Sequence, residues 1–488
     1  MTTETPTKYE VVIGIEVHAQ LATKSKMFCS CSGDYHNAPP NTYVCPVCLG
    51  MPGMLPVINR QAVELTIMTG LALNCTIPER AKFDRKNYPY PDLPKGYQIS
   101  QYDLPLCKGG WLEVEVEGET KRIGITRVHL EEDTARSMHR SNGVEDYSLV
   151  DFNRSGTPLM EIVTEPDVRS GKEARAYVTK LQQILRYVGA SRANLEEGNM
   201  RCEPNISLRP IGREEFGTKV ELKNLNSFRA VELGIDFEIA RQSKLLDGGQ
   251  RVIQETRGWR DDTGETVSQR SKEAAEDYRY FPEPDLPPVR ITSAYVEGLR
   301  AKLPELPDAK RQRFVSAYGL NDYEANLLAA TKERAKFYED VVGSDASSAK
   351  AMANWIINDV ARLEHETGVS VEDSKLRPEH IVEIQVMIND TSTNMVTAKS
   401  ILGESFKTGK APRAIVDEQG LTQISTSDEL TGMVAKVIEA NPKPVADYRG
   451  GKESAIKALV GLVMRETRGR ANPQLAGELL RQQLDSEL

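Results

Sequence analysis

Strict apolar–polar alternation runs through Val11–Leu21. Val11, Ile13, Ile15, Val17, Ala19 and Leu21 fall on one face, and Glu16, His18 and Gln20 on the other. Side chains alternate across a strand, so this spacing predicts a half-buried strand. Shorter alternating runs recur at Trp111–Glu117, Arg122–Leu130, Ser148–Phe152, Asn205–Arg209 and Val220–Leu225. Turn clusters at Gly109-Gly110, Asn142-Gly143 and Arg154-Ser155-Gly156 separate them. Helical spacing is rarer in this part. Gly171–Val188 sets Ala174, Tyr177, Val178, Leu181, Ile184 and Leu185 on one stripe, and Ala230–Leu246 reads as a second helix. Long antiparallel sheets with a few helices on one side fit this pattern.

The texture changes after the proline-punctuated stretch Asp277–Pro288, which reads as an ordered boundary loop. Helical spacing then dominates, opening at Leu303–Pro307 and continuing at Tyr323–Tyr338, Ala349–Glu366 and Pro378–Ile388. A second bundle follows at Asp428–Ala440, Lys452–Arg465 and Pro473–Leu484, with Asn472 as N-cap before Pro473. The small-residue run Ser344–Lys350 reads as a linker. The expected fold class is α+β: an antiparallel-sheet domain over 1–294, an all-helical domain over 295–412 and a helical tail bundle over 413–488.

Composition changes this picture little. The chain has 488 residues, 39% hydrophobic and 27% charged, an ordinary balance for a soluble protein. No apolar run approaches the roughly 18 residues of a membrane span, and Met1–Thr7 is polar, without an apolar signal core. A cytoplasmic location with no membrane partner is expected. Net charge is −9, which by itself does not favour a nucleic-acid partner, although partners feel patches and not totals. From Asn441 onward there are 8 Lys and Arg against 6 Asp and Glu, leaving 54 against 65 in front. The tail is mildly basic.

Four of the seven cysteines cluster as Cys29-x-Cys31 and Cys45-x-x-Cys48. In a chain without secretory signals such a set reads as a metal site before a disulfide, and four thiolates at these separations can reach one tetrahedral zinc. Free or redox thiols are the alternative. With every position a Cys, no coordination position is left open, so the site reads as a structural staple. Such a staple contributes on the order of 10 kcal/mol where a loop cannot fold without it. Cys75, Cys107 and Cys202 read as small buried hydrophobes.

Acidic residues recur in strand-like contexts. Arg127–Asp133 ends with Glu131 and Glu132, Pro158–Val163 encloses Glu161, and Val220–Lys223 puts Glu221 and Lys223 on one face. An isolated Glu in a strand is commonly a rim or salt-bridged residue, and a solvated strand face is the plain alternative for Glu16 and His18. Convergence would change that, because so many carboxylates cannot all stay ionised together without a cation. Several oxygens and one imidazole suit Mg²⁺ or Mn²⁺ better than zinc, and a magnesium–carboxylate cup normally holds a polyphosphate. Gln20 reads as a rim residue.

Familiar nucleotide motifs are missing. Gly212–Lys219 has Walker-like glycine spacing but places Thr218 before Lys219, the wrong order for a P-loop, and reads as a loop before a strand. Ser347, Ser348 and Lys350 lack the flanking glycines of a serine–lysine amidase site. Phe83–Pro105 mixes Arg85, Lys86 and Lys95 with Tyr88, Tyr90, Tyr97 and Tyr102 in a proline-rigid loop. These residues either stack on and neutralise a nucleotide or tRNA end, or the tyrosines are core. Arg465, Arg468 and Arg470 either meet a phosphate backbone or form a solvated helix end.

Together these runs resemble the GatB family, the B subunits of the bacterial aspartyl/glutamyl-tRNA(Asn/Gln) amidotransferases. The resemblance is carried by Gly14–His18, Lys82–Tyr88, Tyr97–Gln101, Arg127–Asp133, Gly156–Asp167, Asn205–Arg209, Glu221–Phe228, Asp277–Pro284 and Ala471–Gln474, in order along nearly the whole chain. It implies a cradle domain with an ATP-dependent kinase site, a helical domain and a tail that reaches tRNA. It implies two protein partners in a heterotrimer: the A-type glutaminase, which supplies ammonia through a tunnel, and the C-type protein, which clamps the two large subunits. Misacylated tRNA(Gln) or tRNA(Asn) is the implied substrate. ATP would phosphorylate the side-chain carboxylate, and ammonia would displace phosphate. Carried over by motif, Glu16, His18, Glu131, Glu132, Glu161 and Glu221 are expected to hold Mg²⁺ and serve catalysis. Lys86 and Lys223 are expected at the phosphates, chosen on charge. The cysteine set is not universal in the family, which makes zinc a scaffold feature. The rival expectation is a zinc-stapled tRNA-binding scaffold without chemistry of its own.

Overall fold

The computed structural model describes residues 8–141, 143, 145–271, 278–343, 346–421, 427–467 and 471–486. The expected α+β class holds: an antiparallel-dominated sheet region precedes a helical region. The opening alternation forms strand β1 (Tyr9–Gln20). Beside it lie β2 (Glu119–Glu132), β3 (Pro158–Thr164), β4 (Met200–Pro210) and β5 (Val220–Lys223). Their spatial order is β5-β4-β1-β3-β2, with every neighbour antiparallel. Glu255–Arg260 continues the sheet parallel to β5, and Glu265–Ser271 follows it.

The apolar face of β1 is fully buried at Ile13, Ile15, Val17 and Ala19. Helices Gly171–Val188 and Phe228–Asp247 contribute to the same core through Tyr177, Leu181, Val231 and Ile235. Each fully buried side chain of this size contributes roughly 1.5–3 kcal/mol. Ser170 and Ser227 start the helices by accepting the N–H groups of Glu173 and Ala230. With the helices on the apolar face, the polar face of the sheet is left for chemistry. Over it leans a small sheet of Asp84–Asn87 and Tyr97–Ser100, joined by Phe281–Pro282. The segment Phe83–Pro105, expected as a loop, thus contains two strands. Helix Arg60–Ala72, unforeseen in the sequence, buries one face that includes Thr66, Thr69 and Gly70 beside Ala62, Val63 and Ile67, while Leu65 and Met68 off that face are half-buried, so the apolar residues do not form a clear stripe.

The chain divides into two compact units, Met1–Leu306 and Pro307–Leu488. Among its described residues the second unit is helical and has two separate cores. One gathers Phe314, Tyr338, Ile356, Leu363, Ile384 and Leu402; the other gathers Leu430, Leu459, Val463 and Leu480. The helix expected over Tyr323–Tyr338 is two helices, Asp322–Leu328 and Lys332–Val342. Thr331 restarts the second by accepting the N–H of Arg334. The helix expected over Ala349–Glu366 is continuous, with a π-turn at Trp355–Val360. Asn472 accepts the N–H groups of Gln474 and Leu475, as an N-cap should.

The described part of the run read as a linker, 346–350, is a turn leading into a helix, and its Ala349 belongs to the first helical core. Ala346–Ser348 is a 3₁₀ turn, Ala349 is buried, and the Tyr338 hydroxyl donates to its carbonyl. Met1–Thr7, Asn142, Asp277, Ser344, Arg468, Gly469 and Arg470, all part of the sequence expectations, lie outside the described residues. Among the described residues no helix is long and apolar enough to cross a membrane.

The reversed Walker-like stretch is a loop leading into β5, as expected. Gly217 in it is required by space, since a Cβ there would come 2.0 Å from the Leu208 carbonyl oxygen. Gly217→Ala is expected to cost about 1–3 kcal/mol, read as a lower denaturation midpoint. An unchanged midpoint would mean the loop shifts without strain.

Candidate active site and metal centre

Four strands set four side chains in one row on the polar face. His129 of β2 lies opposite Glu161 of β3, Glu161 opposite His18 of β1, and His18 opposite Arg201 of β4. Two residues along β1, Glu16 faces Glu203 of β4, while Asn205 faces Glu221 of β5. The same period of two that buries Ile15 and Val17 therefore aims Glu16 and His18 at a shared cavity. The cavity holds about 420 Å³ and is also lined by Lys86, Lys219, Lys223, Tyr88, Tyr102 and Tyr280.

At its floor His18 Nε2 is 3.2 Å from Glu161 Oε2 and 3.9 Å from Glu131 Oε1. His129 Nε2 meets the same two carboxylates at 3.4 and 3.6 Å. One donor atom each from His18, Glu131 and Glu161 lies within 4.8 Å of the others. Metal–oxygen bonds of about 2.1 Å place neighbouring ligands roughly 3–4 Å apart, so this trio fits a small divalent cation. His18 Nδ1 is buried without a protein partner, the mark of a polar site completed from outside the chain.

Burial opposes the imidazolium of His18, but Glu161, Glu203 and Glu131 outweigh it and raise His18 to about 9. Burial likewise penalises the Glu161 carboxylate, yet His129 and His18 hold it well below the usual range. Glu131 is lowered against burial by His129 and Lys86. Glu16 goes the other way, raised by burial and by the Glu161 charge. Neighbouring carboxylates pushed in opposite directions are typical of reaction sites.

The other expected site residues divide by position. Glu16 lines the cavity and accepts from Asn205 Nδ2 at 3.1 Å. Glu221 lines it too, accepting from Thr256 Oγ1 at 2.7 Å. Lys223 stands 3.1 Å from Glu203 and 3.6 Å from Glu221. Lys86 lies 4.7 Å above the Tyr278 ring, its charge favoured by Glu131 and Glu161 in spite of burial. Glu132 does not reach the cavity. Next to Glu131 on one strand, it must point to the opposite face. There Lys95 pairs with it at 2.6 Å and the Ile99 N–H donates to it at 3.0 Å, beside a second cavity of about 210 Å³.

Gln20 is no rim residue: it is 8% exposed and donates to Asp133 at 2.8 Å. Of the tyrosine segment, Tyr88 and Tyr102 line the cavity and Tyr102 stacks on Tyr280 at 4.4 Å, whereas Arg85 is spent on Glu283.

Sequence reasoning missed His129, Arg201, Glu203 and Lys219. A signal existed: His129 precedes Glu131 by two, and Arg201, Glu203 and Asn205 alternate along β4.

The cysteine cluster forms as expected. Donor atoms of Cys29, Cys31, Cys45 and Cys48 lie within 4.8 Å of one another. The Sγ atoms of Cys45 and Cys48 are 3.8 Å apart. The Cys48 thiol is drawn down to about 4 by Cys29, by the Cys45 N–H 3.1 Å away and by the Lys26 ammonium. Cys75, Cys107 and Cys202 are buried, as read from the sequence.

Residues 11–297 match the GatB/GatE catalytic domain, and residues 336–484 match the GatB domain. The chain is 53% identical over 490 residues to the B subunit of the aspartyl/glutamyl-tRNA(Asn/Gln) amidotransferase of Dehalococcoides mccartyi strain CBDB1, covering 98% of this chain and 99% of that one. It is 52% identical over 478 residues to the protein of the same name from Carboxydothermus hydrogenoformans, with the same coverage. To that of Thermomicrobium roseum it is 53% identical over 477 residues, again covering 98% and 99%. Two matching domain models and full-length identity above one half make this chain a member of the GatB family.

Proposed function

We propose that this chain is the amidating member of a glutamine-dependent carbon–nitrogen ligase acting on Glu-tRNA(Gln), Asp-tRNA(Asn) or both. Its partners are the A-type glutaminase, the C-type clamping protein and the misacylated tRNA, in the cytoplasm. Residues 1–294 act as the cradle, 295–412 as the helical domain and 413–488 as the tRNA-contacting tail. The observation that carries the reading is the row His129–Glu161–His18–Arg201 with Glu131 beside it: cation donors at one end of a cavity and basic groups at its walls.

A free carboxylate resists attack by ammonia because it is anionic and has no leaving group. Phosphorylation supplies both remedies: a carboxylate oxygen bonds to the γ-phosphorus of ATP as ADP leaves, ammonia bonds to the acyl carbon, phosphate departs with that oxygen, and the nitrogen sheds a proton. Such transfer depends chiefly on positioning and on neutralising charge. His18, Glu131 and Glu161, with Glu16 and Glu221 farther along the wall, would hold Mg²⁺, which when bound neutralises phosphate oxygens. His129 keeps the Glu161 and Glu131 carboxylates in place. Lys86 and Lys223 offer ammonium charge to the phosphates. Tyr88 and Tyr102 shield the cavity from bulk water.

Zinc in the four-cysteine set is a staple. Zn–S bonds of about 2.3 Å at a tetrahedral centre separate sulfurs by about 3.8 Å, the spacing of Cys45 and Cys48.

The test follows one oxygen. With ¹⁸O in the side-chain carboxylate of the aminoacyl-tRNA and ammonia as nitrogen donor, one label is expected in the released phosphate. Unlabelled phosphate would exclude the acyl-phosphate route.

A further inference from the structure

Arg201 closes the row across from His18, yet the amidation steps leave it without a task. Arg201 lines the cavity, and its Nη2 donates to Asp133 Oδ1 at 3.2 Å. A guanidinium has five N–H groups in a planar fork, so one such bond leaves donors for the cavity. Asp133 is 3% exposed, and its position is set from several sides. Arg154 Nε lies 3.8 Å from Oδ1, and Gln20 Nε2 donates to Oδ2 at 2.8 Å. The Gln20 amide in turn meets the Tyr35 hydroxyl at 2.9 and 3.1 Å. Tyr35 sits between Cys31 and Cys45, with His36 stacked on its ring at 4.7 Å. A continuous chain of hydrogen bonds therefore runs from the cysteine loop to the cavity wall.

The geometry points to Arg201 as an oxyanion-binding cation of this cavity, with Asp133, Gln20 and Tyr35 as the residues that hold its fork in place. The assignment rests on the cavity being the amidation site. Arginine suits the task because its fork meets a carboxylate or phosphate with two parallel bonds, which a lysine cannot do. The arrangement also gives the cysteine loop a part in the chemistry. Besides stapling a surface loop, it fixes the far end of the chain that aims Arg201. Tyr35 and Gln20 are positioning residues, and neither touches substrate.

The experiment uses the complete complex with ammonia as nitrogen donor. Arg201→Ala is expected to lower kcat/KM by about a hundredfold, with partial recovery on adding guanidinium in the low millimolar range. Tyr35→Phe and Gln20→Leu keep Arg201 but loosen it. They are expected to raise one KM by about five- to tenfold, the size of one hydrogen bond, with kcat held within about twofold and no rescue by guanidinium. The rise falls on aminoacyl-tRNA if the fork holds the carboxylate, and on ATP if it holds phosphate. Unchanged KM values in Tyr35→Phe, which removes a single oxygen and should fold, would overturn the positioning chain. Unchanged kinetics in Arg201→Ala would overturn the assignment of Arg201. Glu161→Gln run in parallel separates the two levels: if it too is fully active, the cavity is not the reaction site. If it is dead while Arg201→Ala is normal, only the present inference fails.

Discussion

Glu161→Gln is expected to slow ATP- and ammonia-dependent amidation by about a thousandfold while leaving tRNA binding within about twofold. Glu161 is the residue on which the site's charges converge, with His18 Nε2 at 3.2 Å and His129 Nε2 at 3.4 Å from one of its oxygens. Glutamine keeps the volume but removes the charge. When no cation is bound, the two imidazoles that Glu161 helps to keep protonated would lose their nearest anion, and His18 would fall from about 9 toward its ordinary value. A divalent cation would lose one of three close donors. Binding of tRNA, spread over a far larger surface, should hardly notice. Amidation rate and filter binding on the same preparation check both halves, and near-normal amidation would sink the kinase reading of the cavity. It would return the protein to the rival of a scaffold without chemistry.

The second large effect is on stability. On the proposed zinc staple, Cys48→Ser should abolish zinc binding and unfold the loop around residues 29–48, a loss on the order of 10 kcal/mol for a loop that depends on its metal. Cys48 is the buried member of the set, 4% exposed, and receives the Cys45 N–H and the Lys26 ammonium. A serine hydroxyl stays protonated, binds zinc poorly and leaves Lys26 buried against no anion. Metal content by atomic absorption and a thermal melt give the readout. A zinc-free variant that melts like the parent would show that the loop stands without metal. Tyr35 lies in the same loop, so the kinetic signature of Tyr35→Phe should accompany the loss.

Local order was legible in the residues themselves. The alternation at Val11–Leu21, the stripe of Gly171–Val188 and the cap at Asn472 are short-range patterns, and each formed as read. So did the cysteine set, because two close pairs on one loop need little help to meet. Where the reading slipped, a tertiary contact or a local cap overrode the pattern. Thr331 broke one expected helix into two. Ala346–Ser348, inside the run expected as a linker, forms a 3₁₀ turn that leads into the expected helix at buried Ala349.

The site was half legible. Glu16, His18, Glu131, Glu161 and Glu221 carried a signal because their strands alternate and their runs match a family. Glu132 carried the same signal and faces the other way, since adjacent strand residues cannot share a face. His129 and Arg201 shared only the period-two spacing, two residues from Glu131 and Glu203, and nothing beyond it set them apart from other charged strand residues.

Periodicity along the chain thus determined which residues lie on a polar face, and composition determined that there was enough apolar surface to bury the other. Neither determined who meets whom. That was decided by register: β3 and β4 pair with β1 so that Glu161 and Arg201 flank His18. Register depends on the whole sheet packing against its helices, and a shift of one residue would turn every one of these side chains to the opposite face.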